Sequence, residues 1–225
     1  MAFTLSEVVP WGRSYNEYMS MFNLSEDDLS LRILGCGDGP ASFNAVMYRN
    51  GKTVISVDPI YELSSGQIRE RIDATYPTMM EQLQANQADF VWHTIPSVSE
   101  LGNIRMTAMN EFLLDFEPGK AQGRYRALSL PSLPFGDAEF DLALCSHFLF
   151  LYTEQLSEEF HLEAILEMRR VAKEVRIFPL LDLGANPSPY VDRVCEQIQA
   201  LGYYYEMQPV PYEFQRGGNT MLLLR

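Results

Sequence analysis

The stretch from Arg32 to Asp58 has the order of a strand, a glycine-rich turn, a short helix and a second strand: RILGCGDGPASFNAVMYRNGKTVISVD. Glycines at alternate positions, Gly35, Gly37 and Gly39, remove side chains where a backbone turns tightly and comes close to a ligand. A second apolar, β-branched run then ends at Asp58, about 20 residues after the glycines, where an acid can hold the hydroxyls of a ribose. This order predicts an α/β fold with a site for a ribose-bearing ligand at the carboxyl ends of its strands.

The net charge of the chain argues against binding to nucleic acid. Of 225 residues, 17 are lysine or arginine and 30 are aspartate or glutamate, so the formal charge is −13. An acidic surface repels phosphate backbones, and the sequence has no run of basic residues to offset this. The length suits one α/β domain with an insertion. We therefore expect residues 1–225 to form a single domain without a nucleic-acid partner.

Cysteine spacing and hydropathy predict a soluble, cytoplasmic protein. Cys36, Cys145 and Cys195 lack C-x-x-C spacing and lie in apolar stretches, as reduced intracellular thiols do. The N-terminus has no basic segment followed by a long apolar one, and the longest apolar run, residues 142–152, is too short to span a bilayer. No group of histidine, cysteine and acidic residues has the spacing of a metal site, so neither a metal nor a membrane partner is expected.

Two segments outside the strand–turn–strand unit have helical patterns. Residues 1–30 carry aromatic residues at helical spacing, which predicts an N-terminal helical cap. Residues 62–120 are far too many for an ordinary loop. Three stretches of them have helical periodicity: residues 67–76, 79–85 and 98–116. Breaks are predicted at Pro77 and Pro96, because proline lacks the N–H that a helix needs. We interpret this helical insertion as a lid or substrate-binding cap.

The second half of the chain alternates strands with helices and then closes with two strands. Strands are predicted over residues 125–128, 141–145, 175–181, 203–210 and 220–224, and helices over residues 158–172 and 190–201. Alternation of this kind forms a mostly parallel, doubly wound sheet, while a final hairpin adds an antiparallel edge.

The glycine turn alone leaves two classes of ribose-bearing ligand open, a dinucleotide and S-adenosylmethionine. The dinucleotide fingerprint has a third glycine for close packing of helix on strand, where this chain has Pro40. Proline suits the first turn of a helix instead, where its missing N–H is no loss. The pattern therefore favours S-adenosylmethionine, with an NAD-dependent oxidoreductase as the less favoured alternative.

Four pieces of the chain resemble the class I S-adenosylmethionine-dependent methyltransferase family. They are ILGCGDGP from Ile33, VISVD ending at Asp58, LPFGDAEFDLALCSH ending at His147, and the closing pair of strands. The resemblance implies a Rossmann-like, seven-stranded, mostly parallel sheet with an antiparallel last strand. It also implies S-adenosylmethionine as cofactor and methyl transfer to a small-molecule acceptor, which the sequence does not identify.

The same resemblance assigns site residues. Those that would contact the cofactor are Gly35, Gly37, Gly39, Pro40, Asp58, Pro59, Ser129, Leu130 and Ser146. Gly35 stands where the family usually has an acid at the end of strand one, and Ser129 where an aspartate often meets the adenine. These two departures leave a non-catalytic protein that binds S-adenosylmethionine or S-adenosylhomocysteine as an alternative.

Methyl transfer asks mainly for alignment and desolvation, with a base only where the acceptor must lose a proton. His147, just past the fourth strand, is the candidate base, because that strand end faces the transferred methyl group in the resembled fold. Aromatic residues and one arginine near the predicted mouth are candidate acceptor contacts: Tyr18, Tyr152, Tyr212 and Arg216. The last two lie on a loop that leaves the carboxyl end of a parallel strand.

Overall fold

The computed structural model describes residue 5 and residues 8–225. The helices and strands, in chain order, are α1 (Tyr15–Met21), β1 (Ile33–Cys36), α2 (Phe43–Arg49), β2 (Val54–Val57), α3 (Ser65–Ala85), α4 (Val98–Ala121), β3 (Tyr125–Arg126), β4 (Phe140–Ser146), α5 (Glu158–Val171), β5 (Ala172–Phe178), α6 (Val191–Ala200), β6 (Tyr205–Pro209) and β7 (Thr220–Leu224). Strands and helices alternate from β1 to α6, except that α3 and α4 follow one another between β2 and β3 and that β4 follows β3 without a helix between them. The strands β6 and β7 then close the chain.

The seven strands form one sheet in the order β3-β2-β1-β4-β5-β7-β6. Pairing is parallel from β3 to β5, whereas β7 runs antiparallel to both β5 and β6. This confirms the predicted Rossmann-like sheet with an antiparallel last strand. The strand order reverses between β1 and β4, and open α/β sheets bind ligands in the crevice at the carboxyl ends of such a pair.

Side chains alternate between the two faces of the sheet and pack on different helices. Leu34 and Cys36 of β1 belong to a core cluster with residues of α5 and α6. Ile33 belongs to a second cluster with residues of α1 and α2. Because successive side chains of a strand point to opposite faces, apolar residues on both faces place helices on both sides. The sheet is buried between two layers.

The helical segment between β2 and β3 differs from its prediction at one proline. A break was expected at Pro77, but α3 runs without interruption through that residue. Ile72 packs with aromatic residues of α4 before the proline, and Met79 packs with Leu101 of α4 after it. Burial on both sides of Pro77 holds the helix together against a cost of about 3 kcal/mol for an interior proline.

Two further properties concern the apolar character of the helices and the state of the cysteines. In residue 5 and residues 8–225, no helix combines the length and the apolar character that a membrane span requires. Cys36, Cys145 and Cys195 are each buried and unbridged. Burial raises the pKa of the Cys145 thiol to about 12, so this cysteine is neutral at neutral pH.

Candidate functional site

The glycine turn after β1 has the backbone conformation that the motif predicts. Gly37 and Gly39 have φ angles of +67° and +51°, in the region that favours glycine. The Gly37 N–H donates to Val57 O of β2 at 2.9 Å, which fixes the start of the turn against the neighbouring strand. Pro40 follows the turn and precedes α2, whose first residue is Phe43. The prediction that Pro40 lies in the first turn of this helix is therefore wrong.

Asp58 joins the end of β2 to the glycine turn. One carboxylate oxygen accepts from the Gly39 N–H at 2.9 Å, and the other accepts from the Ile60 N–H at 2.9 Å, where it caps a short 3-10 helix. Burial raises the pKa of Asp58, and these two hydrogen bonds oppose that rise. Each carboxylate oxygen has capacity for a further hydrogen bond, so Asp58 can still hold a pair of hydroxyl groups.

A second carboxylate, that of Asp38, lies inside the turn itself. Asp38 is 7 % exposed and accepts from the Tyr18 hydroxyl at 2.8 Å and from the Ser56 hydroxyl at 2.6 Å. Burial, together with the nearby negative charge of Asp58, raises the pKa of Asp38 to about 6 against the effect of those two hydrogen bonds. A Cβ atom added to Gly35 would lie 1.8 Å from Asp38 Oδ2. The space beside Gly35 is therefore filled by an acid from the turn.

These residues surround a cleft of about 420 Å³ at the carboxyl ends of β1, β2 and β4. All predicted cofactor contacts except Gly35 line it: Gly37, Gly39, Pro40, Asp58, Pro59, Ser129, Leu130 and Ser146. Gly35 lies beneath the Asp38 carboxylate instead. Tyr18, predicted as an acceptor contact, also lines this cleft and is 1 % exposed, with its hydroxyl committed to Asp38.

His147 stands directly after β4 and lines the cleft. Its φ angle of +51° is uncommon for a residue with a side chain. The His147 N–H donates to Phe178 O at 2.7 Å, and ring atom Nδ1 lies 3.0 Å from the Ser146 hydroxyl. Burial and the positive charges of Arg13 and Arg105 lower the pKa of His147 well below its usual range, so the ring is neutral at neutral pH.

A smaller cavity of about 90 Å³ adjoins the cleft, and the two share Val9, Trp11, Arg13 and His147. Tyr152 and Tyr212, predicted as acceptor contacts, line this cavity. Arg216 lines neither space. Its guanidinium donates to Ala88 O at 3.1 Å and Phe90 O at 3.2 Å, so it ties the last loop to the residues that follow α3.

No protein-family model matches the chain. It is 34 % identical over 222 residues to the uncharacterized protein MJ0045 of Methanocaldococcus jannaschii, a match that covers 98 % of this chain and 97 % of the relative. The chain belongs to the family of this archaeal protein. The match runs over nearly the full length of both proteins and therefore spans the segments that form the sheet and the inserted helices.

Among solved structures, this family member resembles methyltransferases at low sequence identity. Magnesium protoporphyrin IX methyltransferase from Synechocystis PCC 6803, with bound S-adenosylmethionine, has a TM-score of 0.44 and 11 % identity over 88 % of this chain and 72 % of that one. A methyltransferase from Aquifex aeolicus has a TM-score of 0.39 and 14 % identity over 87 % and 80 % of the two chains. A putative methyltransferase from Methanococcus maripaludis has a TM-score of 0.44 and 11 % identity over 92 % and 82 %.

The sequence analysis missed four polar residues of the site: Arg13, Glu17, Asp38 and Arg105. Glu17 pairs with Arg105 across 88 residues of sequence and accepts from the Tyr212 hydroxyl at 2.8 Å. Burial acts to raise the pKa of Glu17, but Arg105, the charge of Arg13 and the Ser14 N–H together outweigh it and lower the pKa to about 2. A signal for Arg105 was present in the sequence, since it interrupts an apolar stripe of α4 four residues after Leu101 and four before Met109.

Proposed function

We propose that the protein is an S-adenosylmethionine-dependent methyltransferase that acts on a small-molecule acceptor. The observation that carries this proposal is Asp58, which stands at the end of β2, bonds to the Gly39 N–H at 2.9 Å and faces the cleft. An acid in this position beside a glycine turn suits the hydroxyl groups of a ribose. The strand order reverses between β1 and β4, and the carboxyl ends of these two strands place the rest of the cleft beside Asp58.

The other groups of the cleft also fit S-adenosylmethionine. Asp38 and Asp58 are acidic and lie close to the turn, which suits a ligand that carries an ammonium group and a sulfonium. Leu130 offers an apolar surface beside Ser129 for a purine ring. The cofactor would supply an electrophilic methyl carbon when bound. Asp58 would hold the ribose, Asp38 the ammonium group of the amino-acid portion, and Leu130 the base.

The protein's own contribution to transfer would be alignment and exclusion of water. Arg13, His147 and Trp11 border both the cleft and the smaller cavity, so the two ligands would meet between them. His147 is the candidate proton acceptor because its ring is neutral. Leu83 of α3 and Arg105 of α4 line the same cavity, which supports a role of the inserted helices as a cap over the acceptor.

A transfer assay tests this proposal. The protein is incubated with S-adenosylmethionine that carries a deuterated methyl group and with a panel of small-molecule acceptors, and mass spectrometry follows S-adenosylhomocysteine and deuterated product. Asp58→Asn is expected to lower kcat/KM for S-adenosylmethionine at least tenfold, since the amide offers one acceptor oxygen instead of two. The matched control is Asp73→Asn on the exposed surface of α3, which should leave the rate unchanged.

The same assay separates turnover from binding alone. A protein that binds S-adenosylmethionine but returns it intact with every acceptor is the non-catalytic binding protein that the sequence left as an alternative. Equal rates for Asp58→Asn and the unaltered protein would remove the assigned ribose contact.

A further inference from the structure

Two of the arginines that line the smaller cavity have side-chain donors with no partner among the described residues. Arg13 and Arg105 both line it, and the Arg105 side chain is 1 % exposed. In the part of the chain that the structure describes, the Nε atoms of both arginines are buried and have no hydrogen-bond partner. Buried polar groups in native proteins are nearly always paired, and an unpaired charged donor is costlier than a neutral one. Such donors indicate a missing acceptor.

The charges around the cavity do not balance. Among the residues that the structure describes, Glu17 pairs with Arg105, but Arg13 forms no salt bridge, and its Nη1 donates to the Trp11 carbonyl at 2.6 Å. No aspartate or glutamate lines this cavity, counted over residue 5 and residues 8–225. Burial and the neighbouring Arg105 lower the pKa of Arg13 to about 10, so it still carries its charge at neutral pH. A chain with a formal charge of −13 thus encloses a positive cavity.

Most of the other residues of the wall are apolar or aromatic, and His147 and Gln215 are among its polar ones. Phe90 and Phe214 stack at 4.8 Å between ring centroids, and both line the cavity with Leu83 and Phe178. The Tyr212 hydroxyl is committed to Glu17. A ligand that matches this wall has an apolar or aromatic body and a negative charge at one end.

We propose that this cavity binds the methyl acceptor and that the acceptor is a small apolar carboxylic acid. Its carboxylate lies against the guanidinium groups of Arg13 and Arg105, and its body lies against Phe90 and Phe214. A planar carboxylate suits a guanidinium, which binds it with two parallel hydrogen bonds. The anion site stands on the cavity alone, whereas its identity as the acceptor site rests on the proposed methyltransferase function.

Calorimetric titration with benzoate and with benzamide tests the charge preference directly, because the two ligands have nearly the same shape. The titrations are run with the full chain alone and with the chain saturated with S-adenosylhomocysteine. Benzoate is expected to bind at least tenfold more tightly than benzamide in at least one of the two conditions. Equal affinities, or binding of neither ligand, would overturn the anion site.

Two substitutions sharpen the test, because one removes a positive charge from the cavity and the other removes a negative charge beside it. Arg13→Gln should lower the affinity for benzoate at least tenfold and leave the affinity for benzamide nearly unchanged. Glu17→Gln should strengthen benzoate binding, because it removes the carboxylate that neutralises Arg105 and keeps an oxygen to accept from it. The control Arg193→Gln alters an exposed arginine that pairs with Glu158, and it should change neither affinity. Shifts of the same sign for Arg13→Gln and Glu17→Gln would contradict the proposal.

Failure of the anion site and failure of the proposed function are distinguishable in the same experiment. A protein that binds S-adenosylhomocysteine but does not prefer benzoate keeps the cofactor site and loses the carboxylate site. A protein that prefers benzoate but does not bind S-adenosylhomocysteine keeps the anion site and loses the methyltransferase assignment. Circular dichroism of each variant establishes that it is folded.

Discussion

The carboxylate of Asp38 fills the space beside Gly35, where a Cβ atom would lie 1.8 Å from Asp38 Oδ2. The first glycine of the motif thus makes room for an acid that the third residue after it supplies. Tyr18 of α1 and Ser56 of β2 hold that acid by their hydroxyl groups. A turn, a strand and the N-terminal helix are therefore coupled through one buried carboxylate beside the cleft.

Gly35→Ala tests this coupling. The methyl group would overlap the Asp38 carboxylate, so the acid must leave its two hydroxyl partners, and we expect the free energy of unfolding to fall by about 1–3 kcal/mol. Urea unfolding measures the change. Gly66→Ala is the matched control, because the nearest atom to its Cβ is 4.0 Å away and the residue is helical, where alanine is favoured over glycine by up to about 1 kcal/mol.

The raised pKa of Asp38 predicts a pH-dependent stability. Native Asp38 keeps its proton up to about pH 6, while the unfolded chain releases it near pH 4. The native state therefore binds more protons between these values, and the contribution of Asp38 to stability falls as the pH rises through them. Relative to the unaltered protein, Asp38→Asn should gain up to about 3 kcal/mol from pH 4 to pH 7. If the free energy of unfolding of both proteins, measured in urea, changes with pH in the same way, the pKa of Asp38 is not raised.

The buried pair of Glu17 and Arg105 predicts a large cost for removing one partner. Glu17→Leu leaves the buried Arg105 guanidinium without its carboxylate, and Arg105→Met leaves the buried Glu17 carboxylate without its guanidinium. Each substitution should therefore lower the free energy of unfolding by about 3–5 kcal/mol. The double substitution replaces both charges by apolar groups and should recover most of that loss. A double-mutant cycle in urea gives the coupling, and additive losses would mean that the pair contributes no interaction of its own.

His147→Gln tests the proposed proton acceptor. Glutamine keeps a polar side chain but cannot take a proton, so kcat should fall about 10²–10⁴-fold if the acceptor must be deprotonated, with an unchanged affinity for S-adenosylhomocysteine. His147→Gly is the companion variant, because glycine accepts the φ angle of +51° without strain and separates the backbone role from that of the ring. Full activity of both variants would leave His147 a structural residue.

The fold and the grouping of the predicted residues around one cleft were predictable because their signals are local. The glycine turn, Asp58 and the segment that ends at His147 are each contiguous in sequence, and the sheet places them at one edge. The smaller cavity was harder to predict from the sequence, because Glu17 and Arg105 meet only through tertiary packing. Arg216 was assigned to the acceptor site from its loop alone, and its guanidinium bonds to backbone carbonyls elsewhere. Proximity along a loop does not fix the direction of a long side chain.

The most direct measurement is the binding of S-adenosylmethionine and NAD to the unaltered protein and to Asp58→Asn by isothermal titration calorimetry. We expect S-adenosylmethionine and S-adenosylhomocysteine to bind, NAD not to bind, and Asp58→Asn to weaken the first two at least tenfold, which corresponds to about 1.4 kcal/mol. Asp73→Asn should bind like the unaltered protein. Binding of NAD in place of S-adenosylmethionine, or binding of neither, would contradict the assignment of the cleft between Gly37 and Asp58.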